Sequence, residues 1–130
     1  MLHRKTRNVF AWILSILLAL AFLLAGVPKV LAVTAWIEKF AHWGYPRWSL
    51  TVIGLLEVSG AILLLIPRFA IYGVGMLLAV MLGAGYTHVA NGEGLAVLRP
   101  LIFLGFLIAV GCLRRSRASK EINSGFISRQ

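Results

Sequence analysis

Four apolar runs, at 9–27, 49–66, 69–86 and about 95–113, limit what this chain can become. Each is close to the ~20 residues that a helix rising ~1.5 Å per residue needs to cross ~30 Å of hydrocarbon. Lipid offers no hydrogen bonds to a bare backbone, and the runs lack the alternation of barrel strands, so they read as membrane-spanning helices. Composition agrees, with 60% of residues hydrophobic and 13% charged, where a soluble domain has roughly a quarter charged. The expected fold is all-α: one integral membrane four-helix bundle.

The net charge of +9 is carried mainly at the chain ends and beside the apolar runs. No basic stripe alternates with aromatics on a soluble face, so nucleic acid is not the expected partner. The charge reads as topology instead. Arg4, Lys5 and Arg7, then Arg68, then Arg114, Arg115, Arg117, Lys120 and Arg129 outweigh Lys29, Lys39, Arg47 and Arg99 on the other side. By the positive-inside rule both termini are cytoplasmic. The expected organisation is a basic N-terminal tail over 1–8, a membrane domain over 9–113 and a basic flexible tail over 114–130. The first run is too long for the apolar core of a signal peptide, so it is read as a retained span. A multi-pass protein of the inner membrane is expected, with the lipid bilayer as its first partner.

The long link after the first run is apolar. Pro28 suits the first turn of a new helix, and Val30, Leu31, Val33, Trp36, Ile37 and Phe40 can form one face beside Glu38 and Lys39. Such an amphipathic segment lies in the interface. Trp36, Trp43, Tyr45 and Trp48 then read as an outer aromatic belt, with Trp12 on the inner side, a ligand-binding aromatic cage being the competing reading. Pro67 forces a tight turn, which makes the second and third spans antiparallel neighbours. Asn91, Gly92 and Gly94 mark the last turn.

Gly75, Ala79 and Gly83 recur every four residues in the third span. Small residues at that spacing form a groove where another backbone can approach, whether from this chain or a second subunit. In the second span Gly54, Gly60 and Ala61 share a face with Glu57. That places the glutamate toward a helix contact. A charge at mid-membrane costs ~3 kcal/mol on insertion scales, so Glu57 must be paired, protonated or beside water. Counting from Ser49, it lies ~12 Å below the outer end of its helix, while Lys29 stands near the outer end of the first, so their meeting requires a favourable tilt. Lys29, His88 and Arg99 gather with Glu57 in the outer half. For Lys29 the alternative is snorkelling, and for His88 it is a bond to backbone or headgroups.

Cys112 is the single cysteine, which excludes an internal disulfide or a cysteine zinc site. No second intramembrane histidine supports a haem or metal site at His88. No nucleophile with a base, phosphate loop or carboxylate dyad is present. Tyr72 and Tyr86 read as packing or interface residues.

The ordered segments "AGVPKV" (25–30), "GLLEVSGAILLLIPR" (54–68) and "THVANGE" (87–93) resemble the DoxX-like family of small four-helix membrane proteins. The likeness spans about 10–113, and its landmarks are Gly26 and Lys29, Glu57 and Gly60, and His88 and Glu93. It implies a four-helix bundle and a respiratory or redox context, the family name coming from membrane subunits tied to quinone-dependent sulfur oxidation and quinol oxidation. Any electrons would be carried by a quinone or an oxidoreductase partner, since the chain has no self-sufficient catalytic constellation.

The resulting expectation is a non-catalytic accessory subunit with a quinone-binding pocket in the outer half, formed by Glu57, Lys29 and His88. The alternatives are a small transporter or proton or solute path in which Glu57 changes protonation, and a homo-oligomeric scaffold built on the Gly75, Ala79 and Gly83 groove.

Overall fold

The structure is a computed structural model that describes residues 2–129, the side chains of residues 2, 3 and 116–122 excepted. Among the described residues five helices follow in order: α1 (Leu2–Val30), α2 (Thr34–His42), α3 (Arg47–Leu64), α4 (Ala70–Ala90) and α5 (Leu98–Ser128), with a 3-10 turn at Gly94–Val97. Four segments are long and apolar enough to cross a membrane: Arg4–Val30, Arg47–Leu64, Ala70–Ala90 and Gly94–Arg115. Neighbours around the bundle run α1, α3, α4, α5 and back to α1, while α2 packs on α3. Among the described residues there is no strand.

Two boundaries differ from the sequence reading. Pro28 does not open a new helix; α1 continues through it to Val30. A proline there forfeits only its own N–H, and the next turn is still closed by Leu31 N donating to Val27 O at 3.0 Å. The chain then reverses at Ala32, whose φ of 53° lies in the left-handed region, while Val33 N donates to Pro28 O at 3.1 Å. The basic segment after Leu113, expected to be flexible, continues α5 as helix to Ser128. Arginine, alanine, lysine and glutamate are good helix formers, and no proline interrupts them.

Close approach of the helices is set by two glycine crossings. A Cβ on Gly54 would stand 2.9 Å from Lys29 Cβ and Val30 N, and one on Gly26 would stand 3.0 Å from Gly54 O and Glu57 Cβ. This is the contact of α1 with α3. At the contact of α3 with α4, a Cβ on Gly73 would stand 2.8 Å from Gly60 O, and one on Gly60 would stand 2.6 Å from Leu77 Cγ. Ala61 is fully buried beside it. Gly54, Gly60 and Ala61 therefore lie at helix contacts.

The stripe in α4 lies elsewhere. Gly75, Ala79 and Gly83 are exposed, and a Cβ on Gly75 or Gly83 would meet nothing within 4 Å. Within this chain the expected packing groove is absent, because α4 turns Gly73, Val74, Leu77 and Met81 inward instead. The core below is Phe22, Leu64, Leu77, Leu107 and Val110 with their neighbours, and Phe22 meets Phe103 with ring centroids 5.4 Å apart.

At the end of the bundle nearer the termini, Arg114 is buried rather than merely flanking the membrane. Its Nη2 donates to Ser15 Oγ at 3.1 Å, and its guanidinium lies 4.6 Å from the Trp12 ring centre. Ser15 in turn donates to Ala11 O at 2.7 Å, so α5 is fastened to α1.

Candidate functional site

Lys29 and Glu57 meet. Lys29 Nζ donates to both carboxylate oxygens at 2.8 Å, with Glu57 2% and Lys29 7% exposed. The axial gap read from the sequence is closed because α1 ends deep in the bundle. The Gly26 and Gly54 crossing sets Lys29 Cβ at the level of Gly54, one helical turn from Glu57. Trp36 from α2 covers the ammonium, its ring centre 4.4 Å from Nζ.

A second polar group stands nearer the loops. Gly92, at φ 68°, turns the chain after α4 so that Glu93 N donates to His88 O at 2.9 Å. Glu93 then accepts from His88 Nδ1 at 2.5 Å and from Trp43 Nε1 at 3.0 Å. One carboxylate thus ties α2 to the end of α4. Nearby, Thr87 Oγ1 donates to Gly83 O at 2.9 Å, so its single proton is used and Tyr45 must donate to it, at 2.6 Å. The partner of the His88 ring is thus a carboxylate rather than backbone or a headgroup.

Between these groups lies a cavity of about 640 Å³, within the range of small-molecule sites. Lys29, Glu57 and His88, the three site residues expected from sequence, all line it. The aromatic residues read as a belt divide. Trp36, Trp43 and Tyr45 join Phe40 and Phe103 as cavity wall, whereas Trp48 is 68% exposed and keeps an anchor's position. Tyr72 and Tyr86 are also outward, at 66% and 73% exposure. Ala79 and Gly83 line the cavity too, so small side chains on that stripe make room for the cavity.

Sequence reasoning missed Glu93 as a chemical group and Tyr45 and Thr87 as a pair. The available signal was the Asn91 and Gly92 turn, which returns Glu93 to His88 five residues earlier. Lys39 and Arg99 stand at the loop-side mouth and give it positive charge.

The sequence profile of the DoxX-like family matches residues 13–110. The chain belongs to the DoxX-like family. An uncharacterized protein of Bacillus subtilis (strain 168), YdgD, is similar to it, 36% identical over 97 residues that cover 72% of this chain and 85% of that one. No solved structure matches it. In this DoxX-like protein the landmark residues of the resemblance converge. Gly26 and Gly60 are crossing glycines, and Lys29 with Glu57 and His88 with Glu93 are the two bonded pairs.

The Glu93 carboxyl is held below its ordinary value of 4.5, first by the Trp43 hydrogen bond, then by that from His88. A depressed carboxyl stabilises the fold above the unfolded value and loses that contribution as pH falls through the folded one. The latch of α2 onto α4 is therefore expected to hold at neutral pH and to open only below pH 4.5. The Trp43 indole N–H resonance should shift in that acid window in wild type, and Trp43→Phe should raise the Glu93 carboxyl titration. A Trp43 signal that titrates only above pH 6 would contradict the assignment.

Proposed function

We propose that this multi-pass DoxX-like protein sits in the inner membrane with both termini in the cytoplasm, as an accessory subunit of quinone-linked redox machinery that binds a quinone ring in its cavity. The single observation that carries the reading is a buried Lys29 and Glu57 pair in the lining of an aromatic-walled cavity. An ammonium has three N–H groups, and Glu57 takes two, which leaves one for a ring carbonyl. Both Glu57 oxygens accept from Lys29 in this pair, so its role is to orient that ammonium. His88 gives its Nδ1 proton to Glu93. In a neutral ring Nε2 is then an acceptor, suited to a quinol hydroxyl. Trp43 and Phe103 supply ring surface for stacking.

The permeation alternative has less support, because the core of Phe22, Leu64, Leu77 and Leu107 fills the bundle beneath the cavity. The test is photo-crosslinking of purified protein with an azido-quinone. Labelling of cavity peptides from α2 and α4 is expected in wild type, with strong loss in the charge-free double variant Lys29→Met/Glu57→Leu. Equal labelling of the two proteins would remove the proposed role.

A further inference from the structure

α3 and α4 touch most closely at Gly60 and Gly73. Toward the loop end, the facing flanks carry Ser49, Ile53 and Leu56 on α3 and Met76, Ala79 and Gly83 on α4, and all of these line the cavity. On each helix they recur at three- or four-residue spacing, so each set is one stripe, and Gly60 and Gly73 continue the two stripes. The stripes face each other across the seam without filling it. Leu56 is 36% exposed, Ala79 and Gly83 are exposed, and a Cβ on Gly83 would meet nothing within 4 Å.

The neighbouring seam of α1 with α3 is closed by the Gly26 and Gly54 crossing and the buried ion pair, and nearer the loops the Gly94–Val97 turn packs on both α4 and α5. Leu56 is nine residues into α3 and Ala79 eleven before the end of α4. At ~1.5 Å per residue both lie roughly 14 to 17 Å from the helix ends, within the depth of a ~30 Å hydrocarbon layer. A gap between two spans at that depth opens onto lipid chains, not water. A water-borne ligand would need only the charged mouth at Lys39 and Arg99.

We infer that the seam between α3 and α4 is a lateral portal, and that the occupant is a membrane-resident amphiphile whose polar head meets Lys29 and His88 while its hydrocarbon chain leaves between Leu56 and Ala79. This rests on the reading of the cavity as a ligand site, but not on the head being a quinone. The tail gains nothing from water exclusion, since lipid is as apolar as the seam. The portal instead decides which molecules can enter and remain.

The experiment uses full-length protein in nanodiscs, with tryptophan quenching by a decyl-substituted benzoquinone and by the same ring without a chain. Ala79→Phe fills the seam, and Leu82→Phe, on a 61% exposed position of α4, is the control. Ala79→Phe is expected to weaken the decyl probe by about tenfold or more, the scale of overfilling a packed site. The chain-free ring, which enters by the mouth, is expected to lose far less affinity than the decyl probe, and an unfolding transition like that of wild type shows that the variant folds. Gly83→Leu should repeat the pattern. Equal effects on both probes, or no effect on either, would overturn the portal. If neither ring binds wild type, a nitroxide fatty alcohol is the remaining probe. Seam-dependent quenching by it upholds the portal while the quinone reading falls; its absence removes both.

Discussion

Lys29→Met is expected to be among the most damaging single substitutions in the bundle. Glu57 is 2% exposed, and its two oxygens accept from one ammonium. Removing that ammonium leaves a buried carboxylate without its counter-charge, and breaking one side of such a pair costs about 3–5 kcal/mol. Glu57→Leu should cost a similar amount by stranding Lys29. The double variant Lys29→Met/Glu57→Leu should recover most of the loss, because replacing both charges by apolar groups also removes their desolvation cost. Unfolding in mixed micelles across the four proteins measures the coupling. A Lys29→Met loss under about 1 kcal/mol, the scale of an exposed pair, would contradict the buried geometry.

The second large effect separates the glycines. Gly54→Ala forces a methyl to 2.9 Å from Lys29 Cβ and the Val30 backbone, and Gly73→Ala forces one to 2.8 Å from a carbonyl oxygen of α3. Backbone cannot swing aside as a side chain can, so the helices must part, at about 1–3 kcal/mol for each. Gly54→Ala should also loosen the ion pair. Gly75→Ala and Gly83→Ala meet open space, and should stabilise their helix by up to about 1 kcal/mol through alanine's propensity. The same unfolding measurement decides. If Gly75→Ala were as harmful as Gly54→Ala, the stripe would be an interface with a second copy and the scaffold reading would return.

These two sets mark where sequence was sufficient and where it was not. The four spans were legible because lipid imposes a length and a composition on each, and Glu57 toward a helix contact followed from Gly54 and Gly60 on its face. The meeting of Lys29 with Glu57 was not legible, because it depends on α1 ending about two turns below the start of α3. That depth is fixed by which glycines cross, and it was obscured by reading Pro28 as a helix start. Gly73 and Gly75 are two residues apart and point to different sides of α4. Only the neighbour chooses between them, and the four-residue repeat favoured the wrong one for packing within this chain. In sequence Trp36 and Trp43 read as a belt, with a ligand-binding cage as the competing reading. The fold of α2 back over the end of the bundle, fastened through Glu93, decides for the wall.

The helical state of the basic C-terminal segment was not legible for a related reason. Low apolar content argues against a segment folding alone, but this one inherits its first turns from a helix already formed in the membrane. Continuing a helix avoids the unfavourable nucleation step.

The cavity lined by Lys29 and Glu57 is expected to hold a ligand drawn from the membrane. The most direct measurement is mass spectrometry of what the purified protein carries out of its own membrane, compared with a Gly83→Leu variant that fills the cavity wall without a backbone clash. A quinone enriched over bulk lipid in wild type and depleted in the variant is the expected result. Equal quinone content in both, at the level of the surrounding lipid, would contradict it.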